Sequence, residues 1–176
     1  MGKREYRQIG KAAEERFCSL VILGSGGRIE IVPPLADDER RDFELHVKHR
    51  FGRALSVQVR CHTKLTGSLL HVKLFRGRIQ PVDGAYWFFL AYLDLESVDL
   101  GEPMFLIPSH ALRSAGRLLR EIRVSLDPGS HDRWTPYRVS RSELGRRLLA
   151  ELRKMRRPRP AGRPTAQSST TEGVAG

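Results

Sequence analysis

The stretch Asp42–Cys61, DFELHVKHRFGRALSVQVRC, decides how this chain is read. Both of its arms alternate with period two. Phe43, Leu45 and Val47 fall on one face, and Asp42, Glu44, His46 and Lys48 on the other. On the second arm Leu55, Val57, Val59 and Cys61 alternate with Ser56, Gln58 and Arg60. Between the arms stands Arg50-Phe51-Gly52, and a three-residue hairpin loop commonly ends on a left-handed residue, usually glycine. A turn closed by Gly52 places Asp42 across from Arg60 and Glu44 across from Gln58. Directly opposed side chains share a face, so one face gathers two carboxylates, an amide and a guanidinium. This is either a metal and phosphate site or the wet side of a sheet, whose cross-strand pairs contribute about 0.2–1 kcal/mol each.

Working outward, Glu5–Leu23 carries Ile9, Ala13, Phe17 and Leu20 at helical spacing, and Gly24-Ser25-Gly26-Gly27 stops the pattern. That glycine run lacks the ending of a phosphate-binding loop and follows a helix, so it reads as a C-cap. Arg28–Val32 predicts a short strand halted by Pro33-Pro34, and an acidic loop, Ala36–Arg41, leads into the hairpin. Ser68–Phe75 alternates weakly, as a strand or a loop edge. Ala85–Leu95, AYWFFLAYLDL, is short and aromatic, which predicts a strand buried on both faces. Pro103–Pro108 predicts another strand, Ser109–Leu119 a helix, and Ile122–Leu126 a strand. Asp127-Pro128-Gly129 is a turn signal. Trp134–Val139 is a short segment with an aromatic pair, placed in packing rather than in base stacking. Ser140 and Glu143 have capping-box spacing and open a last helix with Leu144, Leu148, Leu152 and Met155 on one stripe.

The chain has 176 residues, enough for one domain and a tail, and 40% hydrophobic residues, enough for a core. Its 31 Lys and Arg against 20 Asp and Glu give a net charge of +11, which suits a polyanion partner because neutralised phosphates release counterions. Six of the eleven excess charges are Arg153, Lys154, Arg156, Arg157, Arg159 and Arg163, so about half of the signal belongs to an extension or to compositional bias. Arg146, Arg147, Arg153 and Lys154 form a basic side of the last helix, either a nucleic-acid contact or a solvated face. Residues 157–176 are rich in Pro, Gly, Ser and Thr and predict a disordered tail. Cys18 and Cys61 give no disulfide framework and no paired metal spacing. Ser109-His110 has no acid partner at a hydrolase spacing. The N-terminus lacks a signal-peptide apolar core, and no apolar run is long enough to span a bilayer. The expectation is a soluble, cytoplasmic protein.

Glu14 in the first helix, Asp42 at the start of a strand, and Gln58-Val59-Arg60 in the next strand, sixteen residues on, resemble in order and spacing the PD-(D/E)XK nuclease superfamily. The later run YWFFLAYLDLE, followed by MFLIPS, resembles the strand pair after the core of several bacterial members. The resemblance covers residues 5–155 and implies an α/β, restriction-endonuclease-like mixed β-sheet flanked by helices, in a single domain over residues 1–156. It also implies that Asp42, Gln58 and Glu14 bind Mg2+, or Mn2+ in its place, that Arg60 is the catalytic cation, and that the substrate is DNA. Gln58 stands where Glu or Asp is usual, as it does in some members, Arg60 where Lys is usual, and Arg41 where Pro is usual. An amide oxygen ligates magnesium without adding charge. Arginine stabilises a phosphoryl transition state but does not readily shuttle a proton. Glu44 is a candidate for the missing carboxylate, and Lys48 or Lys64 for the missing lysine. The alternative reading is a catalytically decayed nuclease fold that binds nucleic acid or a protein partner.

Overall fold

The computed structural model describes residues 3–34, 41–73, 84–114, 117–119 and 121–155. The predicted tail, 157–176, lies outside these residues, as does most of the acidic loop. Helix α1 spans Lys3–Gly24, and strands β1 (Ile29–Val32), β2 (Phe43–Val47) and β3 (Arg50–His62) follow. Then come β4 (Leu69–Lys73), β5 (Tyr86–Asp94), β6 (Asp99–Leu100) and β7 (Met104–Pro108). After a 3-10 turn at Ser109–Leu112 come β8 (Arg113–Ser114), β9 (Arg117–Leu118), β10 (Glu121–Ser125) and β11 (Arg138–Val139), and helix α2 (Arg141–Lys154) closes the described chain.

The main sheet runs β1-β2-β3-β5-β7-β11, with β6 paired to β5. It is mixed: β3 and β5 are parallel, from Ser56↔Tyr86 to His62↔Tyr92, while their other neighbours are antiparallel. Alternation divides its side chains between two cores. Leu45, Leu55, Val57, Val59, Phe89 and Leu106 pack with Phe17 and Val21 of α1 and Leu144 and Leu148 of α2. Phe88, Leu90, Phe105 and Ile107 point the other way, onto Leu70 and Val72 of β4 and Ile122 and Val124 of β10. Both helices therefore cover one face, and the antiparallel β4–β10 ribbon covers the other. Trp134 packs in this second core, as its aromatic reading predicts.

The helices end as the sequence dictates. Gly26 N–H donates to Leu23 O (3.0 Å) and Gly27 N–H to Ile22 O (2.9 Å), with Gly26 at φ 63°. This is the paired-bond C-terminal motif that glycine adopts without Cβ strain. Glu143 completes the capping box of α2, accepting from Ser140 N–H at 3.1 Å and from its Oγ–H at 2.6 Å. Among the described residues no helix is long and apolar enough to cross a membrane.

Two local expectations fail. The hairpin turns at Lys48-His49, with His49 at φ 64°, and not at Gly52. Val47 pairs Arg50 and His46 pairs Ala54, so residues 51–53 form a bulge, and Glu44 faces Ser56 instead of Gln58. The predicted helix over Ser109–Leu119 is a single 3-10 turn followed by the tiny β8–β9 hairpin. Leu112 of that turn is held in the second core, so tertiary burial and not helical periodicity places it.

Candidate functional site

Strand β3 has thirteen residues, and β2 accompanies only part of it. The ladder to β2 reaches Phe43↔Val57, while β3 continues to His62 along β5. Among the described residues no strand pairs with β3 beyond Val57 on the β2 side, and Asp42 sits where that ladder ends. Its N–H donates to Val57 O at 3.0 Å, and its Oδ2 accepts the Val59 N–H at 2.6 Å. Asp42 therefore brackets Gln58, and its carboxylate replaces the next rung of the ladder with a strong charge-assisted bond. It does not stand across from Arg60, as a turn at Gly52 requires.

Val57 and Val59 belong to the helix-side core, so period two turns Gln58 and Arg60 toward the ribbon side. Gln58 is buried, 6% exposed, and Arg60 is half-buried. Helix α1 crosses the opposite face and brings Glu14 to the same edge. Glu14 and Arg60 line one cleft of about 750 Å³, with Arg7 and Gly10 of α1, His62 of β3, and His71, Lys73 and Glu121 of the ribbon. The neighbouring Glu15 is exposed.

Electrostatics tie the predicted residues together. The Glu14 carboxyl is raised above the ordinary value, first by burial and then by the negative charge of Asp42, with Lys11 and Arg60 opposing. Burial, followed by the charge of Glu14, pushes the Cys61 thiol up to about 12 and the Cys18 thiol up to about 11. His62 is lowered by burial and by Arg60. Two carboxylates and a fixed cation thus share one field at the edge of β3.

Other candidates are occupied elsewhere. Glu44 pairs with Arg41 and lies 3.6 Å from His46 Nε2. Lys48 is exposed in the hairpin turn and Lys64 in the loop after β3. On α2, Arg147 donates to Arg138 O and Pro136 O at 3.1 and 3.0 Å, and Lys154 pairs with Glu151 at 2.7 Å. Sequence reasoning missed His71, Lys73 and Glu121, because the pairing of β4 with β10 that delivers them joins segments far apart in the chain.

Among the described residues no three His, Cys, Asp or Glu side chains gather to hold a metal by themselves. The predicted donors are two carboxylates and one amide oxygen, and of their three residues Glu14 lines the cleft while Asp42 and Gln58 do not. That set suits magnesium, which prefers oxygen ligands and keeps several of its waters. The Glu14 carboxyl is raised chiefly by burial and next by the negative charge of Asp42, and a divalent cation would offset both.

A mixed sheet with its parallel pair at β3 and β5 and two helices on one face is a restriction-endonuclease-like fold, and this chain has that fold. It is similar to the solved structure of a bacterial homing endonuclease, I-Ssp6803I, with a TM-score of 0.55 and 21% identity, over 87% of this chain and 94% of that one. No family model matches the sequence, and no curated protein does.

Proposed function

We propose that the protein is a magnesium-dependent nuclease that hydrolyses DNA phosphodiesters at the edge of β3. The observation that carries this reading is the meeting of Glu14 and Arg60 in one cleft beside Asp42, in a fold shared with a homing endonuclease. Asp42, Glu14 and the Gln58 amide oxygen would hold the ion. When bound, magnesium lowers the pKa of a coordinated water and stabilises negative charge on the phosphate.

The chain's own residues do the rest. The Val59 N–H fixes Asp42, so the carboxylate is set before substrate arrives. Arg60, permanently charged, steadies the charge developing on the non-bridging phosphate oxygens. Arg7 and Lys73 make the cleft wall basic and attract the backbone of DNA in a salt-dependent way. The test is plasmid nicking with magnesium or manganese, comparing wild type with Asp42→Ala. Nicking by wild type, lost in the variant, is expected; equal activity in both discards the site.

One observation favours a second reading. Gln58 and Arg60 leave the edge with fewer carboxylates than the superfamily pattern and with no lysine, which also suits a module that binds nucleic acid without cutting it. That module binds DNA without metal, keeps binding after Asp42→Ala, and gives no heat when magnesium is titrated in a calorimeter.

A further inference from the structure

The β4–β10 ribbon has two unlike faces. Leu70, Val72, Ile122 and Val124 are buried in the second core. Alternation turns His71, Lys73, Glu121 and Arg123 the other way, with Arg123 opposite His71 and Glu121 opposite Lys73. His71, Lys73 and Glu121 line the cleft that holds Glu14 and Arg60, so this polar face is continuous with the candidate site.

The carboxylate of this face holds one cation in a fixed pose. Arg123 Nε donates to Glu121 Oε1 at 2.9 Å, and the same oxygen lies 3.5 Å from His71 Nδ1 across the ribbon. Glu121 is kept below the ordinary carboxylate range, chiefly by Arg123, so it is ionised at neutral pH. The Arg123 side chain is 64% exposed, and among the described residues neither of its Nη groups has a hydrogen-bond partner. A guanidinium gripped at Nε keeps its plane and presents both Nη groups outward, as a fork matched to two acceptors on one planar edge.

We propose that the β4–β10 ribbon enters the major groove of DNA and that Arg123 reads a guanine there, positioned by Glu121. The proposal rests on the reading of DNA as the substrate and adds a source of sequence specificity. Five residues on each strand make a ribbon about 17 Å long with strands about 4.8 Å apart, and a major groove about 12 Å wide admits a two-stranded ribbon. Guanine offers N7 and O6 there as paired acceptors for the fork. A phosphate contact uses the same fork but carries no sequence information, and the experiment separates the two.

The experiment selects bound duplexes from a random-sequence library with the full chain, without divalent metal, for wild type, Arg123→Gln and Glu121→Gln. Plasmid nicking in magnesium by these proteins and by Asp42→Ala runs beside it, and unfolding midpoints confirm that the variants fold. Wild type should prefer guanine at one position by about 5–150-fold. In Arg123→Gln that preference should pass to adenine, whose N6 and N7 match an amide. Glu121→Gln should bind all sequences more tightly, having lost a negative charge, yet discriminate less at that position. Tighter binding with discrimination intact overturns the positioning role of Glu121. An Arg123→Gln protein that binds every sequence more weakly and keeps the wild-type base preferences overturns the reading of guanine, and so does a wild type that binds DNA with no preference. In either case, nicking by wild type that is lost in Asp42→Ala leaves the nuclease reading standing. A wild type that selects guanine through Arg123 but nicks no better than Asp42→Ala overturns the nuclease reading and supports the role of the ribbon. A wild type that binds no DNA overturns both.

Discussion

Gly145 of α2 sits against the end of α1 with no room for a side chain. A Cβ placed there lies 2.5 Å from Gly24 C, 2.5 Å from Ser25 N and 2.7 Å from Val21 O. All three are backbone atoms and cannot rotate away. Ordinary Cβ contacts begin near 3.4 Å, so Gly145→Ala must part the helices by about 0.7–0.9 Å at the crossing. Overpacking of this kind costs about 1–3 kcal/mol, and here it also loosens Leu144 and Leu148 from the sheet. Replacing a helical glycine returns at most about 1 kcal/mol of helix propensity. The net expectation is a loss of about 1–2 kcal/mol, or about 2–8 °C in melting midpoint for a chain of this size. Gly10 of α1 is the control, because its Cβ meets nothing within 4 Å. Gly10→Ala should gain about 0.5–1 kcal/mol. Thermal unfolding followed by far-UV circular dichroism reads both. Equal midpoints, or shifts of the same sign, refute the close helix crossing.

Glu14→Gln should stabilise the metal-free protein at neutral pH. The folded carboxyl is raised, so stability falls as pH climbs from the ordinary value through the raised one; midpoints that differ equally in acid and at neutral pH contradict this. Cys18 and Cys61, at about 11 and about 12, should react with iodoacetamide at mildly alkaline pH far more slowly in the folded than in the urea-unfolded chain, with Cys61 the slower, because the thiolate is the nucleophile. Native labelling at the unfolded rate, read by mass spectrometry, rejects this. Asp99 accepts Arg16 Nε and Nη2 at 2.7 and 3.0 Å, Arg141 Nη1 at 2.6 Å and Leu100 N–H at 2.8 Å, joining both helices to β6. Asp99→Ala should cost about 1–3 kcal/mol, against at most about 0.5 for Lys154→Ala on the exposed pair with Glu151. The carboxyl of Asp99 is held low, chiefly by Arg16, so its contribution is present above the ordinary aspartate value and fades as pH falls; a urea titration giving equal losses in the two variants contradicts the ranking.

The parts of this fold legible in the sequence were those with a strong period. The arms of the hairpin, the aromatic strand at Tyr86–Asp94 and both helices emerge at nearly the expected bounds, because alternation and helical spacing report burial directly. The turn did not, since glycine was favoured for the left-handed position and His49 holds it instead. The bulge at residues 51–53 absorbs the difference, and no local rule signals such a bulge. Glu14 is marked by resemblance and not by any pattern, and the geometry sets it on the cleft while the neighbouring Glu15 lies in solvent. The ribbon wall of the cleft was the least visible, because Lys73 and Glu121 face one another only through a long-range pairing.

The edge of β3 explains why an ordinary sheet face becomes a candidate for chemistry. An open strand edge presents unpaired backbone donors and invites association with another strand. Here β2 stops at Phe43, and the side chain of Asp42 takes the Val59 N–H. The carboxylate is thereby fixed at the point where the β2–β3 ladder ends. Gln58 and Arg60 depend on the same residues. Val57 and Val59 are locked into the helix-side core, and a slip of one residue would drive both valines into the wet cleft and the amide and guanidinium into hydrocarbon. The register that builds the core therefore also aims the polar groups.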